Sequence, residues 1–420
     1  MNAMKLWEVL PLFSIAIKRS MDEFENSIQA IMKEKYTAIH PSVEWRFHKA
    51  ALNFIEAQRS GIHSEMEPIV FEGVYPLYGV SDIRSSSTQR SAAIRADLAE
   101  HLTLAREIIQ LAASYKSLPF LDELAYRIGT HIAAVESGLG SGDEVTITDF
   151  LRREVEPFFD HMQEFGPDMR EKIQVYQADL DPGFGTLYRR RKDFDESVTR
   201  VNETMSTYLD EAQEKAQAMF PHYFEKHTTD GVDYSIYIGA SLIEDGKFDR
   251  LYLRNLRLWQ LMVMCEIARQ TEQLKANLKL PLETAHLIAV QDSPLSIRFR
   301  YDERQFDVDG AYNIRYEIMK KRIDKAMVKG RAERLTQPGK IAIVYSQAKE
   351  SLEYREYIDY LQALECLTDA VEEVELEELQ GIQGLKALRV EVDMRDVVQQ
   401  PSLAPEQVEE AVRSMSQVAS

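Results

Sequence analysis

At Pro221 the hydrophobic period of the chain changes, and that change limits the folds open to it. Before this residue, apolar side chains recur every three or four positions over long stretches, the spacing of one buried helix face. After it, short alternating or wholly apolar runs appear between helices, the pattern of a half-covered or a central strand. The chain must therefore join a helix-rich front half to a sheet behind it.

In the front half, Leu6, Val9, Leu10, Phe13, Ile17, Met21, Phe24 and Ile28 mark one face of a helix expected over 5–35. A second helix follows His40-Pro41, carrying Val43, Phe47, Ala50 and Phe54. Residues 69–78 read as a short extended run broken by Gly73 and Pro76. Helix resumes near Thr88 and runs to about Lys116, and Ser117 and Pro119 suit the start of the next one. A glycine-rich loop at 137–142 ends it, and further helices are expected over 150–165 and 186–219.

In the back half, 232–242 reads as a strand and 249–279 as a helix. Residues 285–291 and 295–302 read as a hairpin around Asp292-Ser293-Pro294, 313–328 as a helix and 340–346 as a buried strand. That order is the β-α-β-β-α-β of a split βαβ unit. The expected fold is α+β, mostly α: an N-terminal helical bundle followed by a ferredoxin-like α/β domain. The expected division is a helical arm at 1–60, a helical bundle domain at 61–220, an α+β domain at 221–398 and a flexible tail at 399–420. At 420 residues the chain exceeds what one core usually serves.

A net charge of −19 argues against nucleic acid or an anionic membrane as main partner. No apolar run approaches the length of a bilayer span. Only two cysteines occur, Cys265 and Cys366, which fits a reducing cytoplasm and gives neither a disulfide framework nor a zinc set. His222 and His227 flank Glu225, but their spacing matches no common zinc pattern, so neither a metal nor another cofactor is expected.

The strongest candidate site is the stretch from Tyr75 to Arg90. Tyr75, Tyr78, Asp82, Arg84, Ser85, Ser86, Ser87 and Arg90 crowd a polar turn that enters a helix. Free N–H groups, hydroxyls and the positive end of a helix dipole suit a phosphate or carboxylate, with Arg84 and Arg90 as a clamp. The plainer reading is an Asp82–Arg84 ion pair with Ser86 or Ser87 as a cap, and it is the commoner case. Gly183, Gly185 and the basic run Arg189, Arg190, Arg191 and Lys192 lack the strand and the third glycine of a nucleotide loop, and read as a helix start. Arg298 and Arg300, on the polar side of their strand, are expected to pair with Asp302, Glu303 or Glu317.

Residues 38–47 (AIHPSVEWRF), 74–87 (VYPLYGVSDIRSSS), 220–240 (FPHYFEKHTTDGVDYSIYIGA) and 312–346 resemble a known region. It is the one that follows the GAF domain in large GAF-domain-containing proteins of Bacteroidetes-type bacteria. The resemblance covers most of the chain and implies a cytoplasmic signalling or regulatory module. The first helix would continue the one leaving the sensor, and no catalytic residues carry over. Expected partners are an upstream sensor domain or a second copy, with the long helices relaying a change of state. The alternative is a protein or enzyme that takes an anionic small molecule at the Tyr75–Arg90 stretch.

Overall fold

The structure is a computed structural model that describes residues 17–19, 21, 25, 26, 28–32, 39–61, 65–140, 142–302, 305–309, 314–379 and 382–395. Of the helix expected over 5–35, the described residues are helical, and the tail from 399 lies outside the described residues. In chain order the elements are α1 (Glu44–Arg59), β1 (Val70–Ile83), α2 (Ser86–Tyr115), α3 (Pro119–Ser137), α4 (Asp143–Phe150), α5 (Pro167–Asp179) and α6 (Arg190–Met219). Then come β2 (Tyr223–Thr229), β3 (Gly231–Ile238), α7 (Arg250–Lys275), β4 (Thr284–Val290), β5 (Leu295–Arg300) and β6 (Gln305–Asp309). The last are α8 (Ile314–Arg322), β7 (Lys340–Tyr345), α9 (Ala348–Ala363), β8 (Leu367–Glu375) and β9 (Lys386–Val392). The fold is α+β and mostly helical. Among the described residues, no helix is long and apolar enough to cross a membrane.

The chain forms two compact units. One comprises Met1–Asp82, Thr204–Glu272 and Thr284–Ser420, the other Ile83–Glu203 and Gln273–Glu283. These limits differ from a division at 61 and 221, because β1 belongs to the sheet rather than to the helices that follow it.

In the first unit a nine-stranded sheet has the order β2-β3-β1-β4-β7-β9-β8, with β5 paired to β1 and to β6. β4 and β7 run parallel, and β2–β3, β1–β3, β7–β9 and β8–β9 are antiparallel. The expected hairpin of β4 with β5 does not form. β4 (TAHLIAV) is buried at every residue and lies between β1 and β7, where both faces are covered. β5 alternates buried and half-exposed residues, as a strand with one wet face does, and hairpins with β6 instead. The ferredoxin-like order fails with it, since β4 and β7 are parallel neighbours. Arg298 and Arg300 pair across that hairpin with Asp309 (3.0 Å) and Asp307 (3.5 Å) rather than with Asp302, and the side chains of Glu303 and Glu317 lie outside the described residues.

β1 does not break at Gly73 or Pro76. Gly73 has φ +66, and the register against β5 shifts between Phe71 and Val74. The left-handed glycine absorbs an extra residue, so the strand bends instead of ending. Its first part pairs with β5 and the rest with β3. α7 lies against one face of the sheet, where Met264 meets Ser81, and α1 and α8 against the other, where Phe47 meets Phe299 and Lys320 meets Tyr78.

The second unit is built on α2 to α5 around Leu102, Ile109, Leu124, Ile128, Phe159 and Ile173. A π-helical turn at Leu151–Val155 follows α4. The basic run is a helix start, as its spacing predicts: the buried Asp97 carboxylate accepts the Arg190 and Arg191 N–H groups at 2.9 Å each. Arg189 pairs with Glu100 and Asp179, and Arg191 with Glu144.

Candidate functional site

The stretch from Tyr75 to Arg90 is not a loop. β1 runs to Ile83 and α2 begins at Ser86, so only Arg84 and Ser85 lie between them. Tyr75 and Tyr78 are three residues apart on a strand and point to opposite faces. Tyr78 is buried, with the Lys320 ammonium 5.5 Å from its ring centroid. Burial and the nearby Asp324 push the Asp82 carboxyl up to about 6 against the pull of Arg334. The Arg84 N–H donates to the Glu283 carbonyl at 2.7 Å. Ser85 takes φ +56 and makes no side-chain cap, and Ser86 and Ser87 are the first residues of α2. The Arg90 guanidinium stands 5.5 Å from the Phe194 ring centroid. Tyr75, Tyr78 and Asp82 belong to the first unit, and the other five residues to the second.

Tyr78 looks onto a covered polar row. Glu225 on β2 lies 3.6 Å from the Lys320 ammonium and accepts from the Tyr223 hydroxyl at 3.3 Å. Burial raises the Glu225 pKa against the pull of Lys320. Both side chains of this ion pair are largely covered, at 17% and 11% exposure.

Tyr75 leads to an open site. β4 and β7 are parallel neighbours, so their carboxyl ends lie side by side and the chains leave them together. In open α/β sheets, the crevice beyond such ends is where ligands bind. Glu350, on the first turn of α9 and 2% exposed, ties the two exits together. Its Oε1 accepts the Asp292 N–H at 2.8 Å, and its Oε2 accepts the Ser346 and Gln347 N–H groups at 2.9 Å each.

Arg257 reaches into the crevice from α7 and is 2% exposed. It donates to Glu353 Oε2 at 2.9 Å, and to Asp292 Oδ1 and the Gln291 carbonyl at 3.2 Å each. The Tyr357 hydroxyl holds the other Glu353 oxygen at 2.7 Å, and Lys349 the other Asp292 oxygen at 3.0 Å. Burial alone would raise the Asp292 pKa, but hydrogen bonds from Lys349 and Arg257 hold it below the usual aspartate value.

The crevice has a volume of about 440 Å³ and is lined by Arg250, Arg254, Arg257 and Lys349 against Asp292, Glu353 and Glu356. That volume lies within the range of small-molecule sites. Arg254 is matched by Glu356 at 2.7 Å. Arg250 is the cation left over: among the described residues, no carboxylate lies within ion-pair distance of it. Its guanidinium lies over the Tyr75 ring, 5.8 Å from the centroid.

The sequence reading did not single out the residues that line this crevice. Arg250, Arg254 and Arg257 lie at i, i+4 and i+7 on one helix face, a signal that was present. Lys349 and Asp292 are far off in sequence and carried none. Among the described residues, no group of three or more His, Cys, Asp or Glu is placed to hold a metal ion. Cys265 and Cys366 are free and buried.

No protein-family model matches this sequence, and no curated protein matches it. Among solved structures, the chain is similar to the crystal structure of the guanylyl cyclase Cya2. That match has 14% identity and a TM-score of 0.27, covering 50% of this chain and 87% of the other. A likeness this slight carries no argument about fold or activity.

Proposed function

We propose that this chain is a regulatory module that binds a small anionic molecule in the crevice beyond β4 and β7. The observation that carries this reading is the arrangement of Arg257 and Arg250. Arg257 is buried and held by two carboxylates, which makes it a rigid wall of the site. Arg250 stands exposed at the mouth over the Tyr75 ring, ready to take an anion. Four cations against three carboxylates leave the lining net positive in a chain that is strongly acidic overall. The regulatory half of the reading comes from the resemblance to the region after a GAF domain, with an upstream sensor or a second copy as the implied partner.

The test is a thermal-shift titration of the full chain with inorganic pyrophosphate at low ionic strength. A ligand that binds only the folded state raises the melting temperature by mass action. The expected result is a rise that Arg250→Gln reduces strongly and added salt weakens. A flat titration in the wild type would overturn the assignment. The regulatory half is checked separately, by whether the reading frame continues upstream into a GAF-like domain.

A further inference from the structure

A second hollow opens beside the crevice, of about 590 Å³, and Phe220, Phe248 and Tyr252 line it together with Lys247, Asp245 and Asp249. The two share the first turn of α7, with Arg250 and Leu253 on the crevice side and Tyr252 on the other. Phe220 and Tyr252 are stacked, with centroids 4.1 Å apart at an interplanar angle of 23°. Tyr75 and Phe248 form a second stack, at 5.9 Å and 21°, and Phe220 meets Phe248 edge-on at 6.1 Å. Tyr252 is 37% exposed, so part of this aromatic surface faces solvent. Arg250 links the two places, since it lines the crevice and lies over Tyr75, which stacks on Phe248.

Resting on the anion reading above, we propose that the ligand is a nucleoside phosphate, with its base on the Tyr252–Phe248 surface and its phosphate at Arg250 and Lys349. A flat ring stacks on aromatic side chains whatever its hydrogen-bonding edge, and each stacked base adds an appreciable increment of affinity. A phosphate wants the exposed cations at the mouth, while Arg257 stays with Glu353 and Asp292. Arg250 lies over Tyr75, and Tyr75 stacks on Phe248, so the cation and the aromatic surface meet along that stack. An anion without a ring would leave the aromatic hollow unused, and a ring without a phosphate would leave Arg250 unmatched.

The experiment is a calorimetric titration of the full chain with adenosine 5′-monophosphate, ribose 5-phosphate and adenosine in turn. The monophosphate is expected to bind at least about tenfold more tightly than ribose 5-phosphate, the increment of one stacked base. Tyr252→Ala should erase that difference, and Tyr252→Phe should keep it, because the ring and not the hydroxyl receives the base. Arg250→Gln should bring the monophosphate down towards adenosine. Equal affinity for the monophosphate and ribose 5-phosphate would overturn the base platform and leave the anion site standing. A preference that survives Tyr252→Ala would also overturn it. Binding of neither phosphate, together with a flat pyrophosphate titration, would overturn both readings at once.

Discussion

Tyr234 lies across Gly79 on the neighbouring strand, so close that a Cβ at residue 79 would sit 2.6 Å from the ring Cζ and 2.7 Å from its oxygen. The Met264 methyl would be 2.5 Å away. Tyr234 is among the largest fully buried side chains, with α7 behind it, so it has nowhere to go. Gly79→Ala is therefore expected to destabilise the fold by about 1–3 kcal/mol, the usual cost of overpacking a core. Tyr234→Leu should also destabilise, yet the double variant should lose less than the two single losses added, because one change relieves the other. Denaturant unfolding of the four proteins measures this, and simple additivity would show that the contact is not tight.

The local periods of this chain were legible and its pairings were not. KIAIVYS reads as a buried strand and is one, while 285–291 reads as a hairpin arm and is instead the fully buried β4. Pairing is non-local, so nothing between Val290 and Leu295 announces that β5 turns away from β4 to join β1. The same holds for the candidate site. Tyr75 and Tyr78 look like companions in sequence, and the pleat sends them to opposite faces. The extra residue at Gly73 reverses the alternation, so Phe71, Val74 and Tyr78 all reach one core. A strict period-two reading breaks there, and the break resembles the end of a strand. The crevice was hidden for a different reason, since its residues come from α7, the end of β4 and the start of α9.

Glu350 does for the crevice what a metal or a disulfide would do elsewhere, fixing two chain exits to one helix start. Three backbone N–H groups point at its buried carboxylate. Glu350→Gln turns an amide group towards donors and removes the charge, which should cost on the order of 2–4 kcal/mol. Glu356, 68% exposed, serves as the control: Glu356→Gln loses a solvent-screened pair with Arg254 worth under about 1 kcal/mol. Urea midpoints of the two variants should differ clearly, and equal midpoints would mean that Glu350 does not hold the exits.

Asp82 should work against the fold at neutral pH. Its carboxyl is pushed up to about 6 from an ordinary 3.8, chiefly by burial. The native state thus holds a proton more readily than the unfolded chain, so stability is lost as pH rises through that interval. Each pKa unit is worth about 1.4 kcal/mol, which makes the strain at pH 7 on the order of 2–3 kcal/mol. Asp82→Asn should raise the melting temperature at pH 7 and change it little below pH 4. A variant less stable than wild type at pH 7 would show that the ionised carboxylate is held favourably, by Arg334 or Lys325.

Buried histidines set the opposite slope. His286 bridges β1 and β4, its Nδ1 2.9 Å from the Ser81 hydroxyl and its Nε2 3.2 Å from that of Thr284, which meets Thr271 at 2.8 Å. His101, in the second unit, has its Nε2 2.7 Å from the Tyr176 hydroxyl, which donates to Glu156 at 2.8 Å. Burial lowers each imidazole to about 4. Between the unfolded value near 6.5 and that native value, the unfolded chain takes up protons and the native one does not, so stability falls with pH in this window. Each ring accounts for on the order of 3 kcal/mol of that fall. His286→Gln should lower stability at pH 7, where it disturbs the hydroxyl network, yet flatten the decline from pH 6.5 to 4.5. Urea midpoints measured every half unit of pH would show this as two lines converging towards acid. Parallel lines would mean that His286 is protonated in the native state, and that the Ser81–His286–Thr284 chain carries a charge that no carboxylate among the described residues pairs with.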